Sequence, residues 1–162
     1  DAYLGEVQVE MQAEEEAKPE SRWSQLRLTD VELLDDRGRP TTRVATGDAV
    51  TFRMRYETTE PVLDPIFSFA LSTPEGVLVT GPNTKEADVR VDKVEGEGTV
   101  ELRVDRLLLL HGSYDITVDC TNRSVTHSYD RRAKMLRFDV TPGVPHETYG
   151  GLVSLDGRYK ID

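Results

Sequence analysis

Seven polar side chains recur at alternate positions inside otherwise apolar runs: Arg53 and Arg55, Ser68, Thr117 and Asp119, and Arg137 and Asp139. Guanidinium and carboxylate groups are planar and offer donors or acceptors in pairs, while hydroxyls do both. Such groups suit a hydroxyl-rich ligand, a sugar above all, held by paired hydrogen bonds. The same residues equally describe an ordinary solvated sheet face laced with cross-strand ion pairs. Aspartate is normally depleted in strands, so Asp119 and Asp139 weigh toward ligand contact.

Catalytic chemistry has less support. Cys120 falls on the inward side of its run and reads as a small core hydrophobe. His111, His127 and His146 lack the spacing of zinc ligands, so neither metal nor cofactor is expected. No GxxxxGK[ST] phosphate loop is present, so this stretch does not itself hydrolyse ATP. With 30 Asp and Glu residues, any pair could be drawn as a glycosidase dyad, and sequence does not give their separation. The reading is therefore of a protein that is not an enzyme. The 122–130 segment, with His127 and Tyr129, is a polar loop that could carry specificity or simply connect two strands. Asn83 suits a turn that caps its own backbone. Trp23 could stack on a sugar or close the edge of a core.

Net charge is −10, from 20 basic and 30 acidic residues. That balance disfavours nucleic acid and anionic lipid surfaces. It suits a neutral ligand or a basic partner. A single cysteine excludes an internal disulfide and fits a reducing compartment. No apolar run approaches the ~20 residues of a membrane helix, and residues 1–10 lack the pattern of a signal peptide.

The elements that would position the seven side chains are strands. Residues 49–58 alternate most clearly, with Val50, Phe52, Met54 and Tyr56 on one side and Arg53 and Arg55 on the other. Residues 65–84 read as a hairpin: Phe67, Phe69 and Leu71 inward, a Thr73-Pro74-Glu75-Gly76 turn, then Val77 and Val79 on one face. Further strands are expected at 99–104, 113–121 and 133–141, a short edge strand at 41–45, and a first strand whose phase changes at Thr29-Asp30 as a bulge requires. Leu107 to Leu110 forms a hydrophobic crossing segment. Before this body, Tyr3, Leu4, Val7 and Met11 share one helical face, and an acidic linker ends at Pro19. The absence of an initial Met suggests a piece of a larger protein. The expected fold is all-β: an antiparallel immunoglobulin-like or jelly-roll β-sandwich, with a short N-terminal helix or linker.

Four segments carry a family resemblance: Thr80-Gly81-Pro82-Asn83-Thr84, Val94-Glu95-Gly96-Glu97-Gly98-Thr99-Val100, the 107–114 segment ending Gly112-Ser113-Tyr114, and Gly151-Leu152-Val153-Ser154-Leu155. In this order and spacing the chain resembles the C-terminal domain of Wzt, the ATP-binding subunit of ABC transporters that export O-antigen polysaccharide. The resemblance implies residues 1–22 as the end of an ATPase-domain helix and linker. Residues 23–162 would then be a β-sandwich carbohydrate-binding domain. It implies recognition of O-antigen polysaccharide, through its non-reducing end, on a concave sheet face, coupled to export. It further implies a homodimer with an exchanged C-terminal strand at 149–160. The partner would be a membrane-spanning transporter subunit reached through the ATPase domain, and the location the cytoplasmic face of the inner membrane. The alternative is a dimerisation or docking module of the transporter with no glycan ligand.

Overall fold

The computed structural model describes residues 25–162; the readings of residues 1–22 and of Trp23 lie outside them. Ten strands run in order: β1 (Leu26–Leu34), β2 (Arg43–Ala45), β3 (Val50–Thr58), β4 (Val62–Leu63), β5 (Ile66–Ser72), β6 (Leu78–Thr80), β7 (Lys93–Val94), β8 (Glu97–Val104), β9 (Gly112–Thr121) and β10 (Ser128–Thr141). They make a three-stranded sheet β1-β3-β8, a five-stranded sheet β2-β10-β9-β5-β6 and a small β4-β7 pair. Among the described residues there is no helix. The architecture is the expected all-β sandwich.

Alternation builds the interior. Phe52 and Met54 from β3 meet Phe69, Ile116, Val118 and Phe138 from the other sheet in one buried cluster. Phe52 lies 6.1 Å from Phe69 and 6.0 Å from Phe138, ring centre to ring centre, so its ring joins the two sheets. Each such ring contributes roughly 1.5–3 kcal/mol by leaving water. Tyr114 stacks on Phe138 at 5.7 Å, and its hydroxyl donates to the Leu110 carbonyl at 2.6 Å, which lets a polar tip sit at zero exposure. The Thr29-Asp30 phase change is present as a register shift between Leu28 and Asp30.

Several boundaries differ from the sequence expectation. The β2 edge strand pairs in parallel with the end of β10, so the sandwich is not wholly antiparallel. The chain leaves β1, crosses to the other sheet and lies beside residues 139–141; Val44 is thereby buried. Val77 belongs to the turn and is 54% exposed, while Val79 packs against the core. The strand expected from residue 133 begins at Ser128. It survives a bulge in which residues 133–135 oppose Thr117 alone. That irregularity hides the period of two in the sequence. Within this chain the C-terminal segment makes one bridge, Leu109 to Val153.

The turn after β2 is a junction. Gly47 donates to Leu107, and Leu107 donates back to Asp48. Thr46 Oγ1 donates to Leu109, while Val144 donates to the Thr46 carbonyl. The crossing segment is held from both sides, with Leu107, Leu109 and Leu110 buried.

Candidate functional site

The strand pairings sort the seven candidate residues onto two opposite surfaces. Arg53 and Arg55 alternate with core residues Phe52 and Met54 of β3, so they lie on the outside of the three-stranded sheet. Ser68, Thr117, Asp119, Arg137 and Asp139 alternate with core residues of β5, β9 and β10, so they lie on the outside of the five-stranded sheet. A single site cannot contain both groups: the core lies between them. Alternation along a strand reveals which side chains point outward, not which layer the strand joins.

On the three-stranded side the two arginines are engaged in cross-strand ion pairs. Arg53 donates to Glu32 Oε1 at 2.7 Å, Arg55 reaches the same oxygen at 3.3 Å, and Glu101 flanks Arg53 at 3.6 Å. The Arg53 hydrogen bond, helped by Arg55, holds the Glu32 carboxyl below its usual range despite partial burial. A cleft of about 290 Å³ opens at the end of this sheet, lined by Asp35, Asp36, Arg53, Glu101, Arg103 and Asp105 among others. Its charged lining lacks any aromatic ring on which a ligand could stack.

On the five-stranded side the register sets out rows across the sheet. Ser68, Asp119 and Arg131 stand in one row, with Asn83 bridged to Ser68 at its end. Ser72, Asp115 and Arg137 make a second row, four residues along each of β5 and β9. Three strands side by side make each row about 10 Å long, and four residues separate the rows by about 13 Å. Between them lie Ala70 and Thr117, short side chains that leave a low floor. The face therefore offers carboxylates, guanidinium groups and hydroxyls around a shallow centre.

Some of these groups are already engaged. Arg137 grips Asp115 with two hydrogen bonds, Nε to Oδ1 at 2.7 Å and Nη2 to Oδ2 at 3.0 Å. Thr117 Oγ1 accepts the Lys134 amide at 3.0 Å, and Asp139 accepts the Ser113 hydroxyl at 2.6 Å. Asp119 accepts the Ser128 hydroxyl at 3.2 Å. Sequence reading missed Asp115, Arg131 and Lys134. The alternation that yields Thr117 and Asp119 includes Asp115 two residues earlier, so that one was findable. Arg131 and Lys134 were concealed by the bulge.

Asp115 is 2% exposed, whereas the Arg137 side chain is 56% exposed. Hydrogen bonding from Arg137 holds the Asp115 carboxyl below its ordinary range, against a smaller opposing effect of burial. A carboxyl depressed in the folded state stabilises the fold above its unfolded pKa, and that contribution is lost as pH falls toward the folded value. The domain should thus lose stability on acidification below the ordinary aspartate value, about pH 4. Urea unfolding of wild type and Asp115→Asn across that range checks this: the wild type should decline more steeply. Equal slopes would remove Asp115 as a cause.

The remaining sequence candidates have structural roles. Cys120 has zero exposure, and burial, with Asp119 and Asp130 nearby, pushes its thiol far above the usual range. Asn83 Oδ1 accepts the Glu86 amide, as a turn residue does. The loop after β9 closes on Asn122, whose Oδ1 accepts the amides of Thr126 and His127; His127 meets Tyr129 edge-on at 5.0 Å. Among the described residues no cluster of His, Cys, Asp and Glu could hold a metal ion. Nor does any helix long and apolar enough to cross a membrane occur among them.

Comparison with known proteins decides the family. The family model described as the Wzt C-terminal domain matches residues 20–155. The chain belongs to the Wzt C-terminal domain family. A crystal structure of the C-terminal domain of Wzt superposes with a TM-score of 0.75 at 14% identity, covering 86% of this chain and 85% of that one. At that identity the likeness shows the sandwich alone. The soluble domain of PmoD from Methylocystis sp. ATCC 49242 (Rockwell) aligns over 72% of this chain and 97% of its own, at 16% identity and a TM-score of 0.29, too low to carry an argument. No curated protein sequence is significantly similar to the chain. Membership in the Wzt family associates the domain with an ABC transporter, as a non-catalytic part of it.

Proposed function

We propose that this Wzt C-terminal domain recognises O-antigen polysaccharide, through its non-reducing end, on the outer face of the five-stranded sheet. Binding there would couple the glycan to export at the cytoplasmic face of the inner membrane. The observation that carries this reading is the Ser68–Asp119–Arg131 row facing Ser72–Asp115–Arg137 across a floor of Ala70 and Thr117. Sugar hydroxyls exchange water for such partners at small net gain, so affinity should be modest. Titrating a panel of O-polysaccharides into the whole chain, followed by NMR, is the test. A binding glycan should shift the amides of Ser68, Thr117 and Asp119. Asp119→Asn should weaken binding about tenfold, the scale of one charge-assisted hydrogen bond. Arg55→Gln, on the opposite surface, should leave it unchanged. Perturbation of β3 in place of β5, β9 and β10 would refute the assignment of the face.

A second reading, a homodimer held by its C-terminal segment, is favoured by one specific observation. Leu155, Tyr159 and Ile161 are spaced in steps of two and four residues and are almost fully exposed, at 90%, 100% and 91%. An extended run with one apolar side suits pairing with a second copy. The solution mass of the full chain, compared with a chain ending at residue 148, checks this. A dimer that outlasts the truncation would exclude the segment as its cause.

A further inference from the structure

Three carboxylates and three cations share the outer region of the five-stranded sheet, but their engagement is unequal. Asp115 is taken by Arg137, and Asp119 and Asp139 accept serine hydroxyls. Arg131 Nη1 is buried and has no hydrogen-bond partner among the described residues. Asp119 stands directly across from Arg131 in the strand register. The Lys134 ammonium likewise makes no ion pair or hydrogen bond among the described residues. Arg131 keeps the regular register opposite Asp119, and Lys134 comes from the irregularity that follows it. Residues 133–135 bulge opposite Thr117, Lys134 takes a φ of 52°, and its amide is tied to the Thr117 hydroxyl. Lys134 also helps to hold the Asp115 carboxyl below its ordinary range, so its charge is felt on this face.

A buried donor without an acceptor costs about 1–3 kcal/mol, and more when it is charged. Folded proteins keep few such groups, and each calls for a missing partner. A sugar hydroxyl would satisfy Arg131 but gain little from the Lys134 charge. A carboxylate or phosphate would answer both, because a guanidinium forks onto two oxygens and an ammonium adds a point charge. An arginine with an unsatisfied buried Nη1 and an exposed lysine three residues away stand out in a chain of net charge −10.

We infer that Arg131 and Lys134 form a subsite for an anionic substituent, a carboxylate or phosphate, on the glycan held by this face. The inference rests on the glycan reading above and names the ligand class within it. The test titrates the whole chain, at fixed ionic strength, with methyl glucoside, methyl glucuronide, glucose 6-phosphate and inorganic phosphate. The acidic sugars should bind about tenfold more tightly than methyl glucoside, the scale of a charge-assisted pair. Arg131→Gln and Lys134→Gln should each shrink that ratio toward one, and Lys134→Gln, which lies outside the two rows, should leave methyl glucoside affinity unchanged. Lys134 is exposed, so its variant keeps the test valid if Arg131→Gln fails to fold. Equal affinity for acidic and neutral sugars, or a ratio that survives both variants, overturns the inference and leaves the glycan reading standing. Inorganic phosphate binding as tightly as glucose 6-phosphate overturns it in favour of a free-anion site. Failure of every sugar to bind removes both.

Discussion

Replacing Asp130 with alanine should destabilise the sandwich by about 3 kcal/mol, because one carboxylate serves donors from two sheets. Its Oδ2 accepts the Leu28 amide of β1 at 2.8 Å and Arg132 Nε at 3.1 Å, and its Oδ1 accepts the Arg131 amide at 2.9 Å. The Leu28 amide needs this partner because the register shift between Leu28 and Asp30 interrupts the ladder to β3 there. Leu28 is 1% exposed, so water cannot easily replace the lost acceptor. Asp130 and Arg132 are themselves mostly buried, with side chains 13% and 19% exposed. Chemical unfolding of Asp130→Ala measures the cost, and hydrogen exchange at the Leu28 amide locates it. A loss below about 1 kcal/mol, with Leu28 still protected, would show that the two sheets do not depend on this link.

Gly47→Ala should cost at least about 3 kcal/mol and lower the melting temperature by about 6–12 °C. Gly47 has a φ of 93°, which disfavours any side chain, and an added Cβ would collide with the carbonyl oxygen of Val144. The neighbour is backbone, so no rotamer change relieves the clash. The turn also ties Leu107 and the segment after β10, so a shift there spreads to three parts of the chain. Gly157→Ala is the control, since nothing lies within 4 Å of its added methyl. A Gly47→Ala melting point within about 2 °C of wild type would refute the argument.

Much of the fold was readable wherever a strand obeyed the period of two. Val50, Phe52, Met54 and Tyr56 announce β3 because one side of the strand is dry and the other wet. The β1 bulge was readable too, because apolar positions change phase across Thr29-Asp30. Parallel pairing of β2 was not readable: three residues carry too little pattern to name a partner strand. Nor was the start of β10, where Asp130 and Arg132 turn toward β1 and the bulge follows at once. The candidate face was legible as outward polar residues, but not as a face. Only strand order shows that Asp119 and Arg137 belong together while Arg53 lies behind the core.

Cys120 gives this body a built-in clock. A thiol at zero exposure and held protonated is invisible to an alkylating reagent while β9 stays paired on both edges. Labelling can proceed only from molecules whose central strand has come loose, so the modification rate counts those openings directly. Because β9 also carries Asp115, Thr117 and Asp119, any ligand that braces this strand should slow the chemistry of a sulfur it never touches.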